Sequence, residues 1–348
     1  MPIREATVRA ADVPASQTDF PFFIDPARVG TSPLTLAEIN SSRWYTDTDL
    51  VTQMAREIVS VSEAHGKYAS LTSTSKIAID YDGIRADYAV TDTFGRNNVW
   101  TGYNAVYHFE VLTTDDSGNG HTTTNVGSVV TGVGKLGGNS ADFGSTNTTR
   151  YLHDNSGIGY TNTANFGATW WFKSKTAPTG GNFQTIFTHN ASTSSLGRLH
   201  RAGVVDISGV QNLRYFVLAG PPNTFADKPK TPGAAIWYHG ALTHDGATVR
   251  AYDDGVEYNN YAKTGTYTNS ANFLAIGSNS TTLAQDVWKG ELDELRFSKT
   301  AQSANWITTE YNNQNAESTF WGTWTTFGGG GFTPTPLMHM RMMAGGMV

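Results

Sequence analysis

The sequence has 348 residues, with 24 Lys and Arg against 30 Asp and Glu, a net charge of −6 and no cysteine. That length allows two domains, the acidic balance speaks against nucleic acid as a partner, and the missing thiols exclude disulfides, thiolate metal sites and cysteine nucleophiles. With 36 glycines, 12% aromatic and only 16% charged residues, the composition suits short strands joined by tight turns rather than helices. No apolar stretch reads as a signal peptide or a membrane span, so the expectation is a protein without a membrane partner that reaches its place of action by a route other than a leader.

In chain order, Ala6–Ala10 alternates as a strand, Pro14 interrupts, and Phe20–Ile24 is a short apolar run closed by the turn at Asp25-Pro26. Residues 49–64 are ambiguous. Leu50, Met54 and Ile58 fit a helix face, whereas Ile58–Val61 fits a strand. Lys76–Tyr81 alternates clearly and ends at Asp82-Gly83. After Phe109 the texture changes to Gly, Thr, Asn, Ser and Asp through residue 150, which reads as a loop-rich surface between short strands. The expected domain boundary lies near 98–105, giving units 1–98 and 99–325 and a tail 326–348, with no flexible spacer between the two units.

Strand candidates then recur at 168–172, 185–188, 213–218, 235–239, 248–252, 273–276 and 291–297. Asp253-Asp-Gly255 is a hairpin turn that pairs 248–252 with 256–261. Many strands without βαβ alternation predict an antiparallel sandwich or barrel. One late helix is expected, capped by Ser303, with Trp306, Ile307 and Tyr311 on one face and Asn312-Asn313 at its end. Beyond the glycine run 328–331 come Met338, Met340, Met342, Met343 and Met347, five of the seven methionines. Such a segment packs adaptably, and the tail is expected to dock on a neighbouring subunit.

Three ordered segments carry a resemblance. Asn104–Phe109, Asp116–Gly120 and Gly134–Phe143 resemble the opening of a laminin-G-like domain of the concanavalin A-like lectin/glucanase superfamily. Trp237–Gly246 with Val249–Gly255, then Gly290–Phe297, then Ser303–Gln314 resemble its central strands, penultimate strand and closing helix. Residues 1–98, through Asp19–Ile24 and 76–82, resemble the uncharacterised β domain that often precedes it, which makes 55–61 a strand. The resemblance implies an all-β fold: a concanavalin A-like jelly-roll β-sandwich with a smaller N-terminal β domain, a short C-terminal helix and a tail. It also implies a bacterial surface or phage virion setting, with other virion proteins or copies of itself as partners, host glycans as ligand and a structural Ca²⁺ as the one cofactor.

The superfamily includes β-glucanases, which carry Glu-x-Asp-x-Glu on one strand face. Glu291 and Asp293 fit, but position 295 is Leu, and simple alternation sends Glu294 to the opposite face. The expectation is therefore a binding protein and not an enzyme. Asp293 and Asp142 are the candidate Ca²⁺ ligands, with Asp116 a further oxygen donor in a turn-rich segment. His189, His200, His239 and His244 match no zinc spacing. For glycan contact, Tyr258, Asn260, Tyr261 and Tyr267 offer aromatic faces and an amide on an expected loop. Trp170, Trp171, Trp237 and Trp288 are read as core.

Overall fold

The computed structural model describes residues 3–47, 49–146, 148–158, 165–190, 198–217, 224–233, 236–264, 273–280 and 286–327. Tyr267 and the Met338, Met340, Met342 and Met343 tail lie outside these residues, as do positions 234–235 at the start of one expected strand.

Two antiparallel sheets face each other across an apolar core. The back sheet runs, edge to edge, Ala226–Pro229, Val210–Val217, Arg198–Ile207, Phe183–Asn190, Phe273–Ile276, Tyr151–Asp154 and Thr124–Val126. The front sheet runs Val256–Ala262, Thr248–Asp253, Tyr238–His244, Phe166–Ser174, Gly290–Ser298, Asn139–Asp142 and Val130–Val133, and Tyr103–Tyr107 also pairs with Gly290–Ser298. Alternation places Ala168, Trp170, Phe172, Leu242 and Ala251 of the front sheet on the core side, against Phe187, Val204, Leu213 and Tyr215 of the back sheet. Non-local pairing of this kind is what a Thr-, aromatic- and Gly-rich sequence with turns every few residues supports. The hairpin at Asp253 forms as expected: Asp254 and Gly255 both take positive φ, 50° and 78°, the geometry that matches strand twist.

The N-terminal unit holds two small sheets. One orders Ile3–Thr7 between Lys76–Asp80 and the short strand Thr325–Thr326, with Arg43–Tyr45 on the far side of Lys76–Asp80. The other places Ala64–Leu71 between Gln17–Ile24 and Arg56–Ile58. The 49–64 ambiguity resolves to the strand Arg56–Ile58, because its backbone groups are taken up by Ala64–Gly66. The strand expected at Ala6–Ala10 begins and ends earlier, at Ile3–Thr7, and gives way to a 3-10 turn at Ala10–Asp12.

The closing helix spans Ala304–Asn315, two residues beyond Asn313, and Ser303 caps it by accepting from the Trp306 N–H at 3.2 Å. The helix lies over the outer face of the front sheet. There the Trp171 indole N–H donates to Gln314 at 2.5 Å, and Thr169 and Arg296 both donate to Glu310. The N-terminal core is completed by the C-terminal segment. Trp306, Ile307, Phe320, Trp321 and Trp324 pack with Phe20, Phe22, Trp44 and Ile79, and Ala241 and Tyr252 of the front sheet join them. The outer face of the front sheet is thus buried beneath the N-terminal unit and the closing helix.

Of the tryptophans read as core, Trp170, Trp171 and Trp288 are buried, Trp171 on the outer face of the front sheet. Trp237 is not in the core: it precedes the strand Tyr238–His244, is half-buried, and has the Lys173 ammonium 4.7 Å from its ring centre.

Candidate functional site

The strand Gly290–Ser298 controls the chemistry of the covered face. Its pairing with Phe166–Ser174 slips, since Thr169 faces Arg296 but Trp171 faces Asp293. The extra residue is accommodated at Glu294, whose φ of 51° lies in the left-handed region. Leu292, Leu295 and Phe297 therefore all reach the sandwich core. Glu294 does not point to the opposite face from Glu291 and Asp293, as alternation predicts. The bulge resets the alternation and puts it on the outer face with them, beside Arg296. Bulges depend on pairing with a distant strand, so the local sequence does not announce this one.

Above that face sit residues from the N-terminal unit. Glu57 and His65 are register partners in the three-stranded sheet, and Glu63 immediately precedes the strand Ala64–Leu71. His108 follows the strand Tyr103–Tyr107. The His65 and His108 rings stack with centroids 4.6 Å apart, and both are fully buried. His65 Nε2 is 3.0 Å from Glu63 Oε1 and 3.8 Å from Glu294 Oε2. His108 Nδ1 is 3.4 Å from Glu63 Oε1 and hydrogen-bonds to Glu294, and its Nε2 is 3.1 Å from Glu57 Oε2. Glu57 Oε2 also accepts from the Trp100 indole at 2.5 Å. Arg296 pairs with Glu294 and with Glu310.

Burial and neighbouring charges push these groups in different directions. Burial pulls the His65 imidazole well below its ordinary range. Burial also opposes protonation of His108, but the Glu294 and Glu57 carboxylates outweigh it and hold that ring well above its ordinary value. Burial raises Glu63, and the Glu294 charge adds to it. Glu294 stays well below the usual carboxylate range because the His108 and Arg296 charges overcome its burial. Glu63, His65, His108 and Glu294 each offer a ligand atom, all within 4.8 Å of one another, and Glu57, His108 and Asp116 form a second such group. A buried set of acidic and histidine residues is thus arranged so that it can hold a metal ion.

The sequence-predicted metal residues behave differently. Asp293 borders the cluster, fully buried, and burial followed by the Glu294 charge raises its carboxyl well above the ordinary range. Its two oxygens accept from the backbone N–H groups of Lys135 at 2.6 Å and Glu294 at 2.9 Å. Asp142 accepts from the Gly144 N–H and from the Lys175 ammonium, each at 2.8 Å. Neither aspartate belongs to the groups of acidic and histidine residues that gather as possible metal sites among the described residues. Asp116 does join the network, pairing with Arg96 at 3.1 Å and pushed up to about 7 by burial and then by Glu57. Glu291 is held by Lys173 at 2.6 Å and Lys175 at 2.8 Å.

The expected tyrosine loop is a strand. Tyr258, Asn260 and Tyr261 lie in Val256–Ala262, paired to Thr248–Asp253. Tyr258 and Tyr261 lean on the sandwich core, with the Tyr258 hydroxyl donating to the Ala226 carbonyl at 3.3 Å and the Tyr261 oxygen accepting from the Val217 N–H at 3.0 Å. Asn260 is exposed and donates to Glu257 at 2.7 Å.

A groove of about 530 Å³, lined mostly by polar residue types, runs along the junction of the two units. Gln17, Thr18 and Asp19 form one wall, Lys299, Thr300 and Gln302 the other, with Tyr103 and Trp306 among its lining residues. Asp19 is exposed and holds a φ of 49° within its strand, a conformation aspartate seldom adopts.

His65, His108 and Glu63 were not candidates from sequence. The one available signal was Glu63-x-His65, two residues apart and hence on one side of an extended segment. His108, bracketed by Tyr107 and Phe109, reads as part of an aromatic strand end.

Comparison with known proteins bears on the sandwich. Residues 144–308 match the Laminin_G_3 family model, described as concanavalin A-like lectin/glucanases superfamily. No curated protein matches the chain. Among solved structures, domain 4 of AbnA, a GH43 extracellular arabinanase from Geobacillus stearothermophilus solved with arabinotriose, is 22% identical over 59% of this chain and 96% of that one, with a TM-score of 0.45. The heptameric SAP-like pentraxin of Limulus polyphemus is 18% identical over 49% and 82%, with a TM-score of 0.36. The binding domain of botulinum neurotoxin serotype G is 15% identical over 64% and 54%, with a TM-score of 0.47. Likenesses at these values support no argument about ligand or activity. The two facing antiparallel sheets, together with the family match over residues 144–308, give this part of the chain the concanavalin A-like jelly-roll fold.

Proposed function

We propose that the protein is a non-catalytic, carbohydrate-binding module whose glycan site is the groove at the junction of the two units. The observation that carries this reading is the groove's lining. Hydroxyls of Thr18 and Thr300, the amide of Gln302, one carboxylate at Asp19 and one ammonium at Lys299 line it beside the edges of Trp306 and Tyr103, which are themselves more than nine-tenths buried. Hydroxyl-rich ligands are held by such sparse donors and acceptors beside aromatic carbon. The carboxylates of the strand Gly290–Ser298 support the non-catalytic part of the reading. Asp293 and Glu294 are buried beneath the N-terminal unit, and Glu291 is engaged by two lysines. A retaining glycosidase needs two carboxylates reaching the sugar bond.

The setting we propose is a virion surface, as a decoration or fibre component contacting other virion proteins or further copies of the chain. This rests on the resemblance of residues 1–98 and 100–320 to a pair of domains that occurs in bacterial surface proteins and in phage virion proteins. A cell-surface adhesin is the alternative, and fractionation of particles against cell envelope separates the two.

The test is an array of immobilised glycans probed with the full chain, with calcium and again with chelator, then with Asp19→Ala and Lys299→Ala. Binding weakened in both variants supports the groove. Binding that both variants retain moves the site elsewhere, and no binding to any glycan overturns the reading. Oligosaccharides that bind should be recovered uncleaved by mass spectrometry.

A further inference from the structure

We propose that Glu63, His65, His108 and Glu294 form a closed four-ligand site for a divalent transition metal of the zinc class, clamping the N-terminal unit to the sandwich. The donor set is the first argument. Two imidazole nitrogens and two carboxylate oxygens suit zinc and its neighbours, whereas calcium takes oxygen alone. Spacing is the second. Four ligands at 2.0–2.1 Å around a tetrahedral ion stand about 3.4 Å apart along each edge. The separations of 3.0 Å (His65 to Glu63), 3.4 Å (His108 to Glu63) and 3.8 Å (His65 to Glu294) lie about that value, while His108 and Glu294, in direct hydrogen bond here, must part to admit the ion.

The outer partners are the third. Metal-bound histidines generally have the other ring nitrogen fixed by a carboxylate or a backbone carbonyl. His108 Nε2 faces Glu57, itself fixed by the Trp100 indole, whereas His65 Nδ1 has the Arg296 guanidinium at 3.4 Å in place of such an acceptor. Arg296 orients Glu294 from the far side. Charge is the fourth. Glu57, Glu63, Asp293, Glu294 and Glu310 are buried here with Arg296 as the one buried guanidinium among them. Five carboxyl groups gathered about one guanidinium in a dry interior need further positive charge, which either shared protons or a metal ion can supply. Glu63 Oε2 is also buried with no hydrogen-bond partner among the described residues.

All four ligands are 0–1% exposed, the mark of a closed structural site rather than one open to substrate. Two come from the N-terminal unit and two from the sandwich, so metal uptake and docking of the units are one event. The competing arrangement is the same cluster neutralised by shared protons, and it is separable by measurement.

Full-length protein should be purified without added metal and analysed by mass spectrometry for bound elements. It should then be unfolded with chelator and refolded with Zn²⁺, Co²⁺, Ca²⁺ or no metal. The expected result is about one equivalent of Zn²⁺ or Co²⁺ per chain, with an intense visible Co²⁺ spectrum of tetrahedral type. The melting temperature should be higher with Zn²⁺ than without metal, and Ca²⁺ should not substitute. Glu63→Gln, nearly isosteric, should weaken the metal at least about 10-fold while leaving the β-sheet circular dichroism of the folded protein intact. Protein that folds to the same melting temperature with and without Zn²⁺, and retains no stoichiometric metal in either case, overturns the site in favour of shared protons.

Discussion

His65 and His108, 43 residues apart in sequence, stack face to face across the junction of the two units, their ring planes 17° apart. Each ring brings carboxylates with it, and the strand that supplies Glu294 and Arg296 runs beneath both. The junction is therefore a charged interior whose members depend on one another.

Arg296 is the member whose loss should be felt most. It is 1% exposed and pairs with Glu294 and Glu310. Arg296→Met leaves both carboxylates buried beside no guanidinium, and the expected destabilisation is about 3–5 kcal/mol, read as a lower urea midpoint at unchanged slope. A variant as stable as the parent would mean that the carboxylates are neutralised without Arg296.

A second buried pair predicts acid sensitivity. Burial pushes His189 down to about 3, and burial and then His189 push His200 well below its ordinary value. An unfolded histidine titrates near 6.5, so between that pH and about 3 the unfolded chain binds more protons. Stability from these rings is complete above pH 6.5 and is lost as the pH falls. For His189 alone the loss between pH 7 and pH 4 is about 3 kcal/mol. Urea titrations at stepped pH should show that slope, reduced in His189→Gln.

Expression of residues 1–98 alone should give a chain without cooperative folding. Its core is completed by Trp306, Ile307, Phe320 and Trp321, and Trp321 donates to the Phe23 carbonyl at 3.0 Å. A sharp thermal transition by circular dichroism in the fragment would contradict this.

Gly240→Ala tests the packing of the sandwich. A methyl group there would lie 2.5 Å from the Trp170 ring, which is itself fixed edge-on against Phe187 and Tyr215. The expected cost is about 1–3 kcal/mol, measured by thermal unfolding.

The sandwich was legible where the information is local. Alternation, the Asp253 hairpin and the Ser303 cap each depend on a few adjacent residues, and each appears where the sequence places it. The buried cluster was not legible, for two physical reasons. His108 sits between Tyr107 and Phe109 and His65 between Ala64 and Gly66, so both read as ordinary strand, and the decisive carboxylate, Glu294, reaches the covered face only because a bulge against Phe166–Ser174 resets the strand. Tyr258 and Tyr261 misled in the other direction. Their residue types suggest sugar contact, but register with Thr248–Asp253 turns their rings to the edge of the core.

The short pairing of Ile3–Thr7 with Thr325–Thr326 has a mechanical consequence. Arg4 faces Thr326, and the Phe327 N–H donates to the Ile3 carbonyl at 2.9 Å, so the two ends of the described chain leave side by side. Tension applied between them opens that ladder one bond at a time, as a zipper opens, instead of shearing it. The load meets the small N-terminal sheet first and reaches the sandwich only after that sheet has come apart. A pull through both ends is therefore resisted weakly.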